Sequence, residues 1–204
     1  MSVPECFAIF KDVSVSIAAC IAAYVAVKGL GTWQKELRGK ASFDVARALV
    51  KSLYFLRDEI SYCRSPFTMG HEFPDGYIDN WGKQTNEKEG GAWAHVYKKR
   101  WEPVARAAQA FDTAALEAEA LWGNEIREQS RELRFHVRRL QVSIEDFISD
   151  KYAGGEHFRR DEDHEKKVKY DIHDKKSEEN ELSIKLAKSI EEIESIVRPH
   201  LVRM

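Results

Sequence analysis

The sequence predicts an all-α protein, with an N-terminal transmembrane helix followed by a long-helix hairpin or bundle. Three observations lead there. Apolar residues recur at three- and four-residue steps along most of the chain, and no alternating run is long enough for a strand. Proline is scarce, at 5 in 204 residues, while 32% of residues are charged, a combination suited to long solvated helices. One apolar stretch near the start carries no charge at all.

That stretch runs from Val13 to Val27, with only Ser14 and Ser16 polar. It is shorter than the about 20 residues a span needs. Lys28 ends it, but the uncharged Gly29-Leu30-Gly31-Thr32-Trp33 follows, and a lysine near a helix end can extend its amine to the headgroups. Counted to Trp33 the segment has 21 residues, enough to cross. Lys28 and Trp33 are then the expected membrane-interface residues. Only Lys11 is basic before the run, whereas Lys28, Lys35, Arg38, Lys40 and Arg47 follow it. This asymmetry predicts a single-pass protein of the cytoplasmic (inner) membrane, with the C-terminal body in the cytoplasm. A buried alanine-rich core helix and an interfacial helix are the alternatives. A signal sequence fits less well, because Lys11-Asp12 is a weak basic region and no small-residue cleavage site follows.

Within the run, Ser14, Ala18, Ala22 and Ala26 recur every four residues, with Ala19 and Ala23 beside them. Such small-residue ladders let helices approach closely in lipid, so self-association or pairing with another membrane protein is expected. The plainer reading is that alanine is simply a good helix former.

Residues 1–38 are thus expected to be an anchor. Gly39-Lys40-Ala41-Ser42 reads as a joint, with Ser42 as N-cap, opening a helical bundle over 42–151. Phe43, Ala46, Leu49, Val50, Leu53, Leu56, Ile60 and Cys63 form its first stripe, ending before Pro66. Residues 67–91 read as a loop, rich in turn signals and aromatics. Its aromatics either plug the bundle or dock a partner through Phe73, Tyr77 and Trp81. Periodicity resumes with Trp93, Val96, Tyr97, Trp101, Val104, Ala108 and Phe111. Pro103 should bend that helix or restart it. A second stripe takes in Leu116, Leu121, Trp122, Ile126, Leu133, Val137, Leu140, Ile144, Phe147 and Ile148. Whether helices 92–111 and 113–151 are continuous stays open, with Asp112 and Gly123-Asn124 as the break points. Residues 156–204 read as a charged connector followed by an amphipathic helix. That helix carries Leu182, Leu186, Ile190 (or Ser189), Ile193, Val197 and Leu201, as a coiled-coil strand or a strap on the bundle.

The segment "GLGTWQKELRGKASFDVARALVKSLYFLRDEISYCRSPF", with "LEAEALWG", resembles a loose set of uncharacterised bacterial proteins. Those have one N-terminal membrane helix and a helical cytoplasmic body. The resemblance covers about residues 12–150 and rests on patterning, not catalytic motifs. It implies a membrane location but no activity and no site residues.

Three constellations bear on chemistry. "RELRFH" places Arg131 before His136 in a way that resembles the motif of HEPN-type ribonucleases, where such a pair handles a scissile phosphate. Glu132 stands where those enzymes often carry another polar residue, and "RRDEDH" matches the spacing equally well. His157, Asp161 and His164 would share one helix face at ligand-like spacing for a divalent metal, although a solvated charged face is the default. "HVYKKRW" and "RFHVRRL" mix basic and aromatic residues, but the net charge of −2 gives no bulk attraction to nucleic acid. No phosphate-binding, dinucleotide, serine-hydrolase or zinc-protease motif is present. The three cysteines are widely spaced and odd in number, which fits a reducing compartment.

The expected role is therefore a membrane-anchored interaction or scaffold protein, with no catalytic residues and no cofactor. Its partners would be the bilayer and a second copy or another protein, with no nucleic acid. The alternatives are a membrane-tethered HEPN-like helical ribonuclease using Arg131 and His136, and an oligomeric effector that disrupts membranes.

Overall fold

The computed structural model describes the backbone of residues 3–78, 85–175 and 177–201, with side chains from Val15 onward. The chain is all-α. Six α-helices occur among the described residues: α1 Val3–Cys63, α2 Asn86–Trp122, α3 Asn124–Tyr152, α4 Glu156–Arg160, α5 Glu162–Ile172 and α6 Glu181–Val197. Short 3-10 turns lie at Gly70–Glu72 and Arg198–Leu201. The chain divides into two compact units, residues 1–44 with 203–204, and residues 45–202.

The first unit is the N-terminal part of α1. The expected joint at Gly39–Ser42 is absent, since α1 runs through it unbroken. A single glycine costs a helix only about 1 kcal/mol, and no proline stands nearby to stop it.

The second unit has its own core. Ala46, Leu49, Leu53, Leu56, Ile60 and Cys63 of α1 are buried at the predicted spacing, with Val50 half-buried against them. They join one cluster with Val104, Phe111, Leu133, Leu140, Ile172, Leu186 and Ile193. Helix α3 is central, packing against α2, α5 and α6. Its buried residues Ile126, Leu133, Val137, Leu140, Ile144 and Phe147 follow the 3.6-residue period.

Helix α2 begins at Asn86, shortening the expected loop, with Thr85 as N-cap accepting from the Lys88 amide at 3.3 Å. It continues through both Pro103 and Asp112. The N–H missing at Pro103 is outweighed by burial of Val96, Val104 and Ala107 on the same helix. The break falls instead at Gly123, whose φ of +77° is costly for any residue with a Cβ. The stripe also needs correction before that break. Leu116 and Leu121 are 62% and 50% exposed, and Ala114, Ala115 and Ala118 take the core positions. Small side chains there let α2 and α3 approach closely, and Leu116 lies about 100° round from Ala115.

The charged connector is largely helical. Asp161 caps α5, accepting from the His164 amide at 2.9 Å. Asn180 caps α6, accepting from the Ser183 amide at 3.2 Å. Helix α6 packs on α3 and α5 as a strap, with Ser189 buried and Ile190 half-buried.

Candidate interaction surfaces

The apolar face of α1 is built from adjacent turns of one helix. Every residue from Val15 to Ala41 is exposed, including Ile17, Ile21, Val25, Val27 and Leu30. None of its most apolar 18-residue window is buried, and the helix is long and apolar enough to cross a membrane. Ala18, Ala22 and Ala26 share an exposed row; the side chain of Ser14 lies outside the described residues. A Cβ placed on Gly29, Gly31 or Gly39 would meet nothing within 4 Å. Lys28 holds its ammonium 5.8 Å from the Tyr24 ring centre, one turn back, and Trp33 is exposed.

The loop after α1 is organised by Arg100. This buried guanidinium donates to the two Glu72 carboxylate oxygens at 2.6 and 2.9 Å, and to the carbonyls of Ser65 and Phe67 at 2.9 and 2.7 Å. The ion pair holds the Glu72 carboxyl below its ordinary range. Phe73 is buried, stacked on Tyr77 at 4.9 Å and edge-on to Trp93 at 5.2 Å, with Trp93 edge-on to Phe147. Of the two expectations for Phe73, plug of the bundle or contact for a partner, its burial fits the first, and Tyr77 is half-buried against it. Trp81 lies outside the described residues. Among the described residues of this loop, the outward apolar side chains are Phe67, Met69 and Ile78. Residue type alone cannot separate these from Phe73; the aromatic stack that Trp93 creates decides it.

A second polar cluster fixes α6. Arg64 is buried and donates to the Tyr170 and Asp171 carbonyls at 3.1 and 2.7 Å, and to Asn180 Oδ1 at 3.2 Å. Those two carbonyls end α5, so Arg64 caps that helix from a distance of over a hundred residues in sequence. Arg139 makes two bonds to Asp171, each 2.9 Å, and one to Glu181 at 2.8 Å. Ser143 completes the set on Asp171 at 2.9 Å. Beside it, an open groove of about 450 Å³ runs between α1 and α6, floored by Ile60, Leu186 and Ile190 and edged by Asp174 and Glu194.

The residues singled out for chemistry stay apart. Arg131 is exposed and paired with Glu128 at 3.1 Å, whereas His136 is buried with no hydrogen-bond partner for Nδ1. Five residues turn a helix by about 140°, so the two point to different faces of α3. Burial lowers the His136 pKa. His157, Asp161 and His164 do not share a helix face, because the chain breaks at Asp161 between α4 and α5. His164 instead reaches Asp146 at 3.4 Å, and no cluster of three metal-ligating side chains occurs among the described residues. Burial pushes the Cys63 thiol up to about 12, which removes it as a nucleophile.

No protein-family model, curated protein or solved structure matches this chain.

Proposed function

We propose that this protein is a membrane-anchored helical interaction protein. The N-terminal part of α1 is the anchor, and the 45–202 unit is the working body. One observation carries the reading: the apolar side chains from Val15 to Leu37 are exposed without exception, on a helix that also contributes to a well-packed core further on. Contiguous apolar surface of this kind is unfavourable in water and needs a covering. Lipid is the covering that a helical segment of this length fits when it is uncharged up to Lys28 and that lysine can extend its amine to the headgroups. The basic residues that follow the run orient the body to the cytoplasm, at a single-pass inner-membrane address.

Within the bilayer, the ladder of Ser14, Ala18, Ala22 and Ala26 supports close pairing with a second copy. In the body, Phe67, Met69 and Ile78 offer an apolar contact to a protein partner. Nothing in the geometry favours the ribonuclease alternative.

Fractionation with carbonate washing, combined with protease access from each side, tests the anchor. The protein should stay in the washed membrane pellet, and its body should be cut only from the cytoplasmic side. Release into the carbonate supernatant would sink the proposal. Ala22→Leu should weaken self-association measured by cross-linking in membranes, and unchanged cross-linking would remove the ladder from the account.

A further inference from the structure

The segment Lys28–Lys40 combines two faces that the anchor alone does not require. Leu30, Trp33 and Leu37 fall at steps of three and four, so they line one side of α1. They are 59%, 60% and 54% exposed. Lys28 and Lys35 project from the opposite side and Arg38 from a flank, whereas Lys40, three residues after Leu37 and seven after Trp33, falls at the C-terminal end of the apolar side itself. All four basic side chains are exposed, and none pairs with a carboxylate among the described residues. Several arginines of the body are instead paired with a carboxylate, among them Arg57 with Asp58, Arg64 with Asp174, Arg100 with Glu72 and Arg139 with Asp171.

Charge balance sharpens the contrast. This segment holds four basic residues against Glu36 alone, while the rest of the chain holds 28 basic against 33 acidic. The positive charge is therefore concentrated directly beyond the apolar run. A stretch with tryptophan and leucines on one side, Lys28, Lys35 and Arg38 around the rest and Lys40 closing its C-terminal end has the chemistry of the headgroup layer. Its apolar side chains enter the acyl boundary, and its cations meet phosphate oxygens.

We propose that Lys28, Lys35, Arg38 and Lys40 select anionic phospholipid headgroups around the anchor, over zwitterionic ones. This rests on the anchor reading and adds to it a lipid class. The cations attract any lipid phosphate, but a zwitterionic headgroup brings its own ammonium and competes with them. An anionic headgroup leaves its charge free for the guanidinium and the amines. Salt weakens the preference, because these side chains lie in solvent at the surface.

The test uses the full chain reconstituted in vesicles of mixed phosphatidylcholine and phosphatidylglycerol, with one or the other lipid brominated to quench tryptophan. The Trp33 contribution is the difference between the protein and its Trp33→Phe variant. Brominated phosphatidylglycerol should quench that contribution several-fold more strongly than brominated phosphatidylcholine. The combined K28Q, K35Q, R38Q and K40Q variant should level the two while keeping its helical circular dichroism. High salt should also shrink the difference. Equal quenching by both lipids in the unaltered protein overturns the headgroup preference and leaves the anchor standing. Absence of quenching by either lipid overturns both.

Discussion

Arg100 of α2 ties down the loop after α1. It satisfies two loop carbonyls and one carboxylate from a buried position. Replacing it with alanine leaves the enclosed Glu72 carboxylate with the Met69 amide but without its counter-charge, so Arg100→Ala should cost about 3–5 kcal/mol in urea unfolding. Arg100→Lys should recover only part of this, since one ammonium cannot reproduce the fork. His136 supplies a pH dependence. It is buried between α3 and α6, facing Glu132 and Arg139 of its own helix and Glu181 and Lys185 of α6. Burial lowers its folded-state pKa below 6.5, so the neutral form is favoured in the folded protein. Its contribution is complete above pH 6.5 and is lost as pH falls through the lower folded value. The melting temperature should therefore fall on mild acidification, and His136→Leu should flatten that fall. A melting curve that responds to pH identically with and without His136 would show that other groups set the dependence.

At the scale of elements, two glycines define how the helices meet. Gly123 separates α2 from α3 with a φ of +77°. Gly123→Ala should destabilise by about 1–3 kcal/mol, because φ of +77° with ψ of −148° is a backbone region that essentially only glycine adopts. Gly90 is buried, and a Cβ there would run into the ring carbons of Tyr152 at the end of α3. Gly90→Ala should destabilise by about 1–3 kcal/mol. Adding Tyr152→Ala should recover most of that loss, which a double-mutant cycle in denaturant would measure. The stripes in α1, α3 and α6 were legible from periodicity because large aliphatic residues mark their buried faces. The stripe in α2 before Gly123 was misread, because alanines occupy the core there and the leucines face out. Periodicity weights large residues, whereas close helix packing selects small ones. The continuity of α1 through Gly39–Ser42 was hidden for a similar reason: local turn signals there are weaker than the cooperativity of an established helix.

For the whole molecule, the decisive division is at residue 44. The 45–202 unit contains its own core and buried polar clusters. Removing residues 1–40 should give a protein that stays in solution without detergent, keeps its helical circular dichroism and melts cooperatively. Persistent detergent dependence after that truncation would mean that the body itself carries the membrane affinity. The truncation should also abolish retention in the carbonate-washed pellet. Together these outcomes would assign solubility and location to separate stretches of one chain.

The sequence by itself determined the all-α class, because a 3.6-residue repeat of apolar side chains admits little else. It also determined which stretch near the start is apolar enough to cross a membrane. Only the tertiary structure decided that Phe73 is core while Phe67 faces out, that Arg131 and His136 part company, and that Arg64 closes the end of α5. Helical class follows from local periodicity. The fate of each polar or aromatic side chain follows from which distant residues arrive beside it, and contacts across a hundred residues leave no local pattern to read.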